Sequence, residues 1–369
     1  MTPHAGPRAL SSTYAPRDAL LLLDETHAPD LTVEEKERLL QAGLHYGHVV
    51  SREAPPSPAQ ARAFDLALDV SAAVCAHLVD AIAERLVRQY PRGVLLVSLA
   101  RGGTPLGALL TRALTPRVEA PHVSVSVIRD HGVDQVALGE ARAAWPHLPF
   151  VIVDGWTGRG RVAREVRASL PGVPLVAAAD PAHAADIAGT RDDTLVPWCL
   201  LNATVSGLAS RSTLPERAGA RHRAAFLADL APFDRTAALL DAVTHHLGQT
   251  GVTHAGEAVP RGAPRVTLEL AAQWGERDES LVKAGIGESA RALLRRDPER
   301  LLLRDPEHPT VAPLVLLAQN RDVPVHHVAA LPYRAACLVR VRRGDATTKG
   351  ANAVDAHPPA NAVPRRSTP

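Results

Sequence analysis

Aromatic side chains make up only 3% of the 369 residues. A core built from this sequence must therefore rely on Leu, Val and Ala. Lysine is nearly absent: Lys36, Lys283 and Lys349 are the only three, leaving 38 arginines among 41 cations. That bias, alongside 31 prolines, reads as genomic codon bias and carries no functional signal. The three cysteines, Cys75, Cys199 and Cys337, are too few and scattered for a disulfide framework. None stands in a CxxC pair, so no zinc site is indicated. Net charge is small, 41 cations against 39 acids, which excludes a tail-driven nucleic-acid binder but not a local basic patch. No apolar run reaches the roughly 18 residues that span a bilayer. The first residues, MTPHAGPRALSSTYAPRD, contain no apolar signal-peptide segment. These absences predict a cytoplasmic protein with no membrane partner.

What remains is ordinary globular composition, 46% hydrophobic and 22% charged. The length suits two or three domains of roughly 100–200 residues each. Residues 1–16 and 344–369 lack apolar periodicity and are expected to be disordered. The Gly-, Pro- and Thr-rich stretch 248–264 is the best linker, separating a first domain over 17–247 from a second over 265–343. In the first domain, residues 64–90 carry apolar residues at helical spacing. Short apolar runs at 93–99, 122–128, 150–153 and 173–179 alternate with helical segments, predicting βαβ units and a mostly parallel sheet flanked by helices. The second domain also mixes helix and strand. Helices are expected over 287–296 and near 312–320, with strands at VPVHHV and ACLVRVRR.

Ligands of an open parallel sheet sit beyond the carboxyl ends of its strands. The turn after 93–99 holds Arg101, Gly102, Gly103 and Thr104, with glycines whose amides can approach an anion and a forked guanidinium. The stretch after 150–153 holds Asp154, Gly155, Thr157, Gly158, Arg159 and Gly160 before a helix, an arrangement suited to a phosphate. Asp154 could accept sugar hydroxyls or hold a magnesium ion. Past the second strand, Arg129, Asp130 and Asp134 could close over a substrate or simply form a surface ion-pair cluster. Asn202 and Ser206, in LNATVSGLAS, could recognise an acceptor or cap a helix.

Arg101-Gly102-Gly103 followed by FVIVDGWTGRG resembles the pyrophosphate loop and diphosphoribose signature of type I phosphoribosyltransferases. The usual signature has two adjacent acids, whereas Asp154 stands alone and the spacing to Thr157 is one residue shorter. Longer segments, EKERLLQAGLHYG, LVSLARGGTPLG, SVIRDHGVD, VDGWTGRG and LNATVSGLASR, resemble a bacterial family of tellurite-resistance and stress gene neighbourhoods. Its members are described both as phosphoribosyltransferase-like and as the cysteine protease StiP family. LVKAGIGESARALLRR and LPYRAACLVRV resemble a Pelota-type RNA-binding domain.

The resemblance implies a type I phosphoribosyltransferase-like α/β domain and a C-terminal α/β Pelota-like domain. The expected activity is Mg2+-dependent transfer from phosphoribosyl pyrophosphate to an unidentified base-like acceptor, in a stress-linked pathway making a nucleoside-like metabolite. Arg101, Asp154, Arg129 and Asp130 would be catalytic. Gly102, Gly103, Thr104, Gly155, Thr157, Gly158, Arg159, Gly160, Asn202 and Ser206 would bind substrate, and Asp154 would hold the metal. RNA would meet Lys283, Gly285, Gly287, Arg291 and Arg295, since Arg291 and Arg295 share one helix face. A homodimer is left open.

Two rival readings stand beside this one. Under the protease label Cys199 is the nucleophile, with His122 or His45 as base. Its apolar neighbours Trp198, Leu200 and Leu201 read instead as those of a buried small hydrophobe. Alternatively, the chain is an inactive binding module for a phosphoribosyl ligand or RNA.

Overall fold

The computed structural model describes residues 7–27, 38, 46–48, 53–249 and 256–340. The expected tail 344–369, His45 and part of the expected linker lie outside the described residues. In the first domain the elements run β1 (Leu20–Leu21), β2 (Asp24–Glu25), α1 (Pro58–Gln89), β3 (Leu95–Ala100), α2 (Thr104–Leu114), β4 (His122–Ile128) and β5 (Gly132–Val133). They continue with α3 (Gln135–Ala144), β6 (Phe150–Trp156), α4 (Arg161–Ser169), β7 (Leu175–Ala179), β8 (Ile187–Thr190), β9 (Arg223–Ala224) and α5 (Thr236–Thr244). The main sheet has the order β1-β4-β3-β6-β7-β8 with parallel neighbours throughout, and β5 pairs antiparallel with β4. This is a mixed α/β fold built on a parallel sheet flanked by helices.

The apolar runs become strands because helices cover both faces. Leu95, Val97 and Leu99 face one cluster with Val123, Ile152 and Val166, while Leu96 and Val151 face the other with α1. The chain leaves β3 for β4 on one side and returns to β6 on the other. Strand order reverses between β3 and β6, which opens a crevice beyond their carboxyl ends.

Helix α1 starts six residues before its expected onset. Ser57 and Gln60 form a reciprocal capping box, with Ser57 Oγ accepting from Gln60 N (3.3 Å) and Gln60 Oε1 accepting from Ser57 N (2.9 Å). Pro58 then takes the first turn, where no N–H is required. By length and composition α1 could cross a membrane, but half of its most apolar window is buried inside the protein. Its Ala63, Phe64, Val79, Ile82 and Leu86 are buried, as expected of a central core helix.

The second region comprises α6 (Ala263–Ala271), β10 (Val282–Ala284), α7 (Ile286–Arg295), β11 (Pro298–Leu303), α8 (Ala312–Gln319), β12 (Val325–His327) and β13 (Ala335–Val339). Its sheet has the order β10-β13-β11-β12. Period-two alternation divides β11: Leu302 faces a small cluster with Ala271 and Leu331, whereas Leu301 and Leu303 face α7 and α8. Those helices pack in turn on the first domain, α8 against α1 and α7 against the 3-10 turn Pro197–Cys199. Ile286, Ala290, Leu293, Leu314 and Leu317 therefore share one continuous core with Phe64, Val79 and Trp198.

Three expectations need correction. Residues 7–16 are packed where disorder was expected. Leu10 and Tyr14 are buried, Thr13 N donates to Gly207 O, and Leu10 N donates to Leu21 O. Within the expected linker, Val259 is buried and its N–H donates to Arg191 O. Asp154, Gly155 and Trp156 belong to strand β6, which pairs with β7 up to Trp156, so the turn itself begins at Thr157.

Candidate functional site

The tips of β3 and β6 meet α7, where Gly287 packs on Trp156, and this junction gathers residues that lie far apart in sequence. Arg101 follows β3 and its Nη1 donates to Glu53 Oε1 (2.6 Å) and to Ala209 O (2.9 Å). Glu53 Oε2 accepts from Ala203 N (3.1 Å), tying the 202–209 segment to the same knot. Burial alone would raise the Glu53 pKa, yet Arg101 and the Ala203 N–H bring it below the usual carboxylate range.

Asp154 is only partly exposed at the tip of β6, and its Oδ1 accepts from Gly155 N (2.8 Å). Burial pushes its pKa up to about 6, opposed by that N–H and by Arg291, while Glu288 adds to the rise. From α7, Arg291 places its guanidinium 5.8 Å above the Trp156 ring. Arg295 stands in the last turn of α7. Desolvation, then Arg291 and Arg101, lower its pKa to about 9. The structure thus brings Arg101 and Asp154 together with Arg291 and Arg295, which the sequence had assigned to a separate RNA surface.

The glycines divide into two kinds. A Cβ on Gly102 would come no nearer than 3.7 Å to Asp154 Oδ1 and the Trp156 ring, an ordinary contact that the site can accommodate. A Cβ on Gly103 would lie 2.2 Å from Val153 O, and one on Gly155 2.3 Å from Gly102 O and 2.5 Å from Trp198 Nε1. Gly103 and Gly155 are required for close packing. Gly103→Ala is expected to cost about 3 kcal/mol or more through backbone collision, against within about 0.5 kcal/mol for Gly102→Ala. Urea denaturation of the two variants checks this directly.

Other expected ligand residues are committed elsewhere. Thr104 is buried at the start of α2 and shares a 2.7 Å hydrogen bond with Ser124 Oγ. Thr157 is buried and its Oγ1 accepts from Ala182 N. Gly158 and Gly160 adopt left-handed φ values, +50° and +70°, to turn the chain into α4. Between them Arg159 pairs with Glu279 of the second region. Arg129 and Asp130, expected to be catalytic, are about two-thirds exposed and face each other at 3.5 Å, a surface ion pair. Asp134 caps α3 and accepts from His222 N. Ser206 Oγ donates to Asn202 O, while Asn202 Oδ1 is buried with no partner among the described residues.

The start of α7, where Gly285 and Gly287 were expected to meet RNA, is already capped from within. Asp193 Oδ1 accepts from Ile286 N (2.8 Å) and its Oδ2 accepts from Arg334 N (2.9 Å). Beside it Arg334 Nη2 donates to Asp192 Oδ2 (2.8 Å). Gly285 adopts φ +95° against Asp193, and Gly287 packs on the Trp156 indole. Neither glycine can present its amide to RNA here, because an internal carboxylate occupies the positive helix end. Of the expected RNA residues, Lys283 is partly buried, and Arg291 and Arg295 are exposed.

Cys199 ends the turn Pro197–Cys199 beneath α7 and is 1% exposed. Burial is the chief cause that holds its thiol well above the usual range; Arg291 opposes this, while Cys75, Asp193 and Glu288 add to it. Cys75 in α1 and Cys337 in β13 are also buried, their thiols pushed up to about 12 chiefly by burial. His122 cannot serve Cys199 from its present position. Its Nδ1 bonds Asp18 O (2.6 Å), its Nε2 bonds Ser98 Oγ (2.7 Å), and burial lowers its pKa to about 4.

Sequence reasoning missed Glu53, Trp156, Asp193 and Glu288. Glu53 and Asp193 sit in no motif, Trp156 and Glu288 lie unremarked inside quoted ones, and each matters only because two distant segments meet. A concavity of about 750 Å³ at the amino edge of the sheet is lined by Tyr90, Arg142, Trp145 and Phe150, none of them picked from sequence.

Comparison with known proteins places this geometry in context. The family described as "Tellurite-like stress resistance cysteine protease StiP" matches residues 12–244. The PELOTA RNA binding domain matches residues 263–341. A protein of Acinetobacter baylyi named "Cysteine protease StiP" is 32% identical over 363 residues, covering 90% of this chain and 95% of its own length. These names overturn the expectation of phosphoribosyl transfer, and with it the transferase class and the phosphoribosyl pyrophosphate and acceptor partners. Magnesium was expected only to serve that transfer. Among the described residues, no three His, Cys, Asp or Glu side chains converge to hold a metal.

Proposed function

Because the chain belongs to the StiP family, we propose that it is a cysteine peptidase of bacterial stress resistance, with Cys199 as nucleophile and an RNA-binding second domain. The position of Cys199 carries the choice among the three thiols. Cys75 lies in the middle of the core helix α1, and Cys337 lies inside strand β13. Cys199 alone ends a short turn beside the strand tips, where Trp198 adjoins Gly155 and α7 lies over it. A nucleophilic thiolate needs access and a base. In this reading the described state is the closed one, and the chain cleaves when α7 transiently parts from the 197–199 turn. The crevice order of the sheet also suits a type I phosphoribosyltransferase-like scaffold, used here for a different chemistry.

The assay is cleavage of fluorescently labelled casein by the full chain. Cys199→Ala should abolish cleavage, while Cys75→Ala and Cys337→Ala should retain it. Cleavage that survives in Cys199→Ala removes that residue as nucleophile. One observation favours a second reading, a non-catalytic RNA-binding protein: all three thiols are buried and raised, and both ring nitrogens of His122 are engaged. Absence of cleavage by the wild-type chain would select it.

A further inference from the structure

Resting on the RNA-binding reading of the second domain, we propose that the RNA backbone lies along a cationic seam built by both domains, with Arg161 and Arg164 of α4 completing a surface begun by Lys283 and Arg296. Lys283, partly buried, stands within the electrostatic reach of Arg296, Arg159 and Arg161. Arg161 and Arg164 are exposed and three residues apart, hence on one face of α4. One turn further on, Arg167 bonds Ala184 O and Asp186, which ends the stripe. At the carboxyl end of α7 Arg296 follows Arg295, with Arg291 one turn earlier on the same helix.

Acids neutralise only part of this surface. Arg159 is paired with Glu279, and Glu288 stands 3.9 Å from Arg291. Arg161, Arg164, Arg295 and Arg296 have no ion pair among the described residues. Burial first, and then like charges, depress Lys283 below its usual range, so the cluster is held together against repulsion. A polyanion that reaches several of these groups at once relieves that repulsion. Forked guanidinium groups suit phosphates in particular. The start of α7 is already capped by Asp193, so the second domain presents its cations beside α4 and not at that helix end. An RNA held by them lies next to the first domain from the outset. The match to an RNA-binding domain over 263–341 favours RNA over an acidic protein.

The test uses the full chain and a fluorescein-labelled RNA hairpin, with affinity measured by anisotropy across a salt series. Each phosphate contact contributes about 0.7–0.9 to the slope of log affinity against log salt. Arg161→Ala/Arg164→Ala should lower that slope by about 1.4–1.8, and Lys283→Ala/Arg296→Ala should lower it comparably. Arg88→Ala/Arg92→Ala, at the far amino edge of the sheet, should leave it unchanged. If RNA binds and only the Lys283/Arg296 variant responds, the shared seam is wrong and the RNA-binding reading survives. If the wild-type chain does not bind RNA, both fail, and binding of polyglutamate that is lost in the α4 variant would identify an acidic protein instead.

Discussion

Asp193→Ala is expected to lower stability by about 2–4 kcal/mol at neutral pH, because it removes two charge-assisted hydrogen bonds from a buried carboxylate. Asp193 is 3% exposed and joins the domains through both oxygens, one to Ile286 N at the start of α7 and one to Arg334 N. The loss leaves two donors unpaired in the seam and removes the anion at the positive end of α7. Asp193→Asn should fall between the two: its carbonyl can still serve Ile286, but its amide N–H then faces the Arg334 N–H. The pH dependence has a definite sign. Burial raises this carboxyl from 3.8 to about 6 in the folded chain, the backbone donors opposing a larger rise. The folded state then binds more protons than the unfolded state between those values, so the contribution of Asp193 falls as pH climbs through them. The stability margin of wild type over Asp193→Asn should narrow from about pH 4 to about pH 6 and stay level above. Urea midpoints at several pH values measure it.

Alkylation of Cys199 in the folded chain is expected to be at least about 100-fold slower than that of a free cysteine, since reactivity follows the thiolate. Each unit by which burial lifts a thiol removes about tenfold of its thiolate near neutral pH. Cys199 is also covered by α7, so reagent and charge are excluded together. Iodoacetamide labelling followed by peptide mapping separates it from Cys75 and Cys337. Asp193→Ala, which loosens the start of α7, should speed labelling of Cys199 more than labelling of Cys337 within β13. Equal acceleration at all three cysteines would indicate general unfolding and contradict a local gate.

Much of the scaffold was legible because its signals are local. The runs 93–99, 122–128 and 150–153 are strands because continuous apolar stretches suit a sheet covered on both faces. The strand 298–303 escaped notice because it opens Pro-Glu-Arg and shows only three leucines at its end. Tyr14 and Leu10 looked like tail residues amid Ser, Pro and Ala, but Tyr14 packs against the distant Val205 and Gly207, and Leu10 pairs with Leu21.

The site was legible in part. Arg101 and Asp154 could be placed at strand tips from spacing alone. That Gly103 and Gly155 serve packing could not, since the same glycine pattern fits a phosphate cradle and a close backbone approach. Nor could Gly285 and Gly287 be read correctly. The carboxylate that occupies the start of α7 is Asp193, in another domain and without any motif.

Casein cleavage by the wild-type chain and by Cys199→Ala, run side by side with Cys75→Ala and Cys337→Ala as controls, tests the account most directly. Cleavage by wild type and both controls, with none by Cys199→Ala, is the predicted result. Undiminished cleavage by Cys199→Ala, or none by wild type, would contradict it.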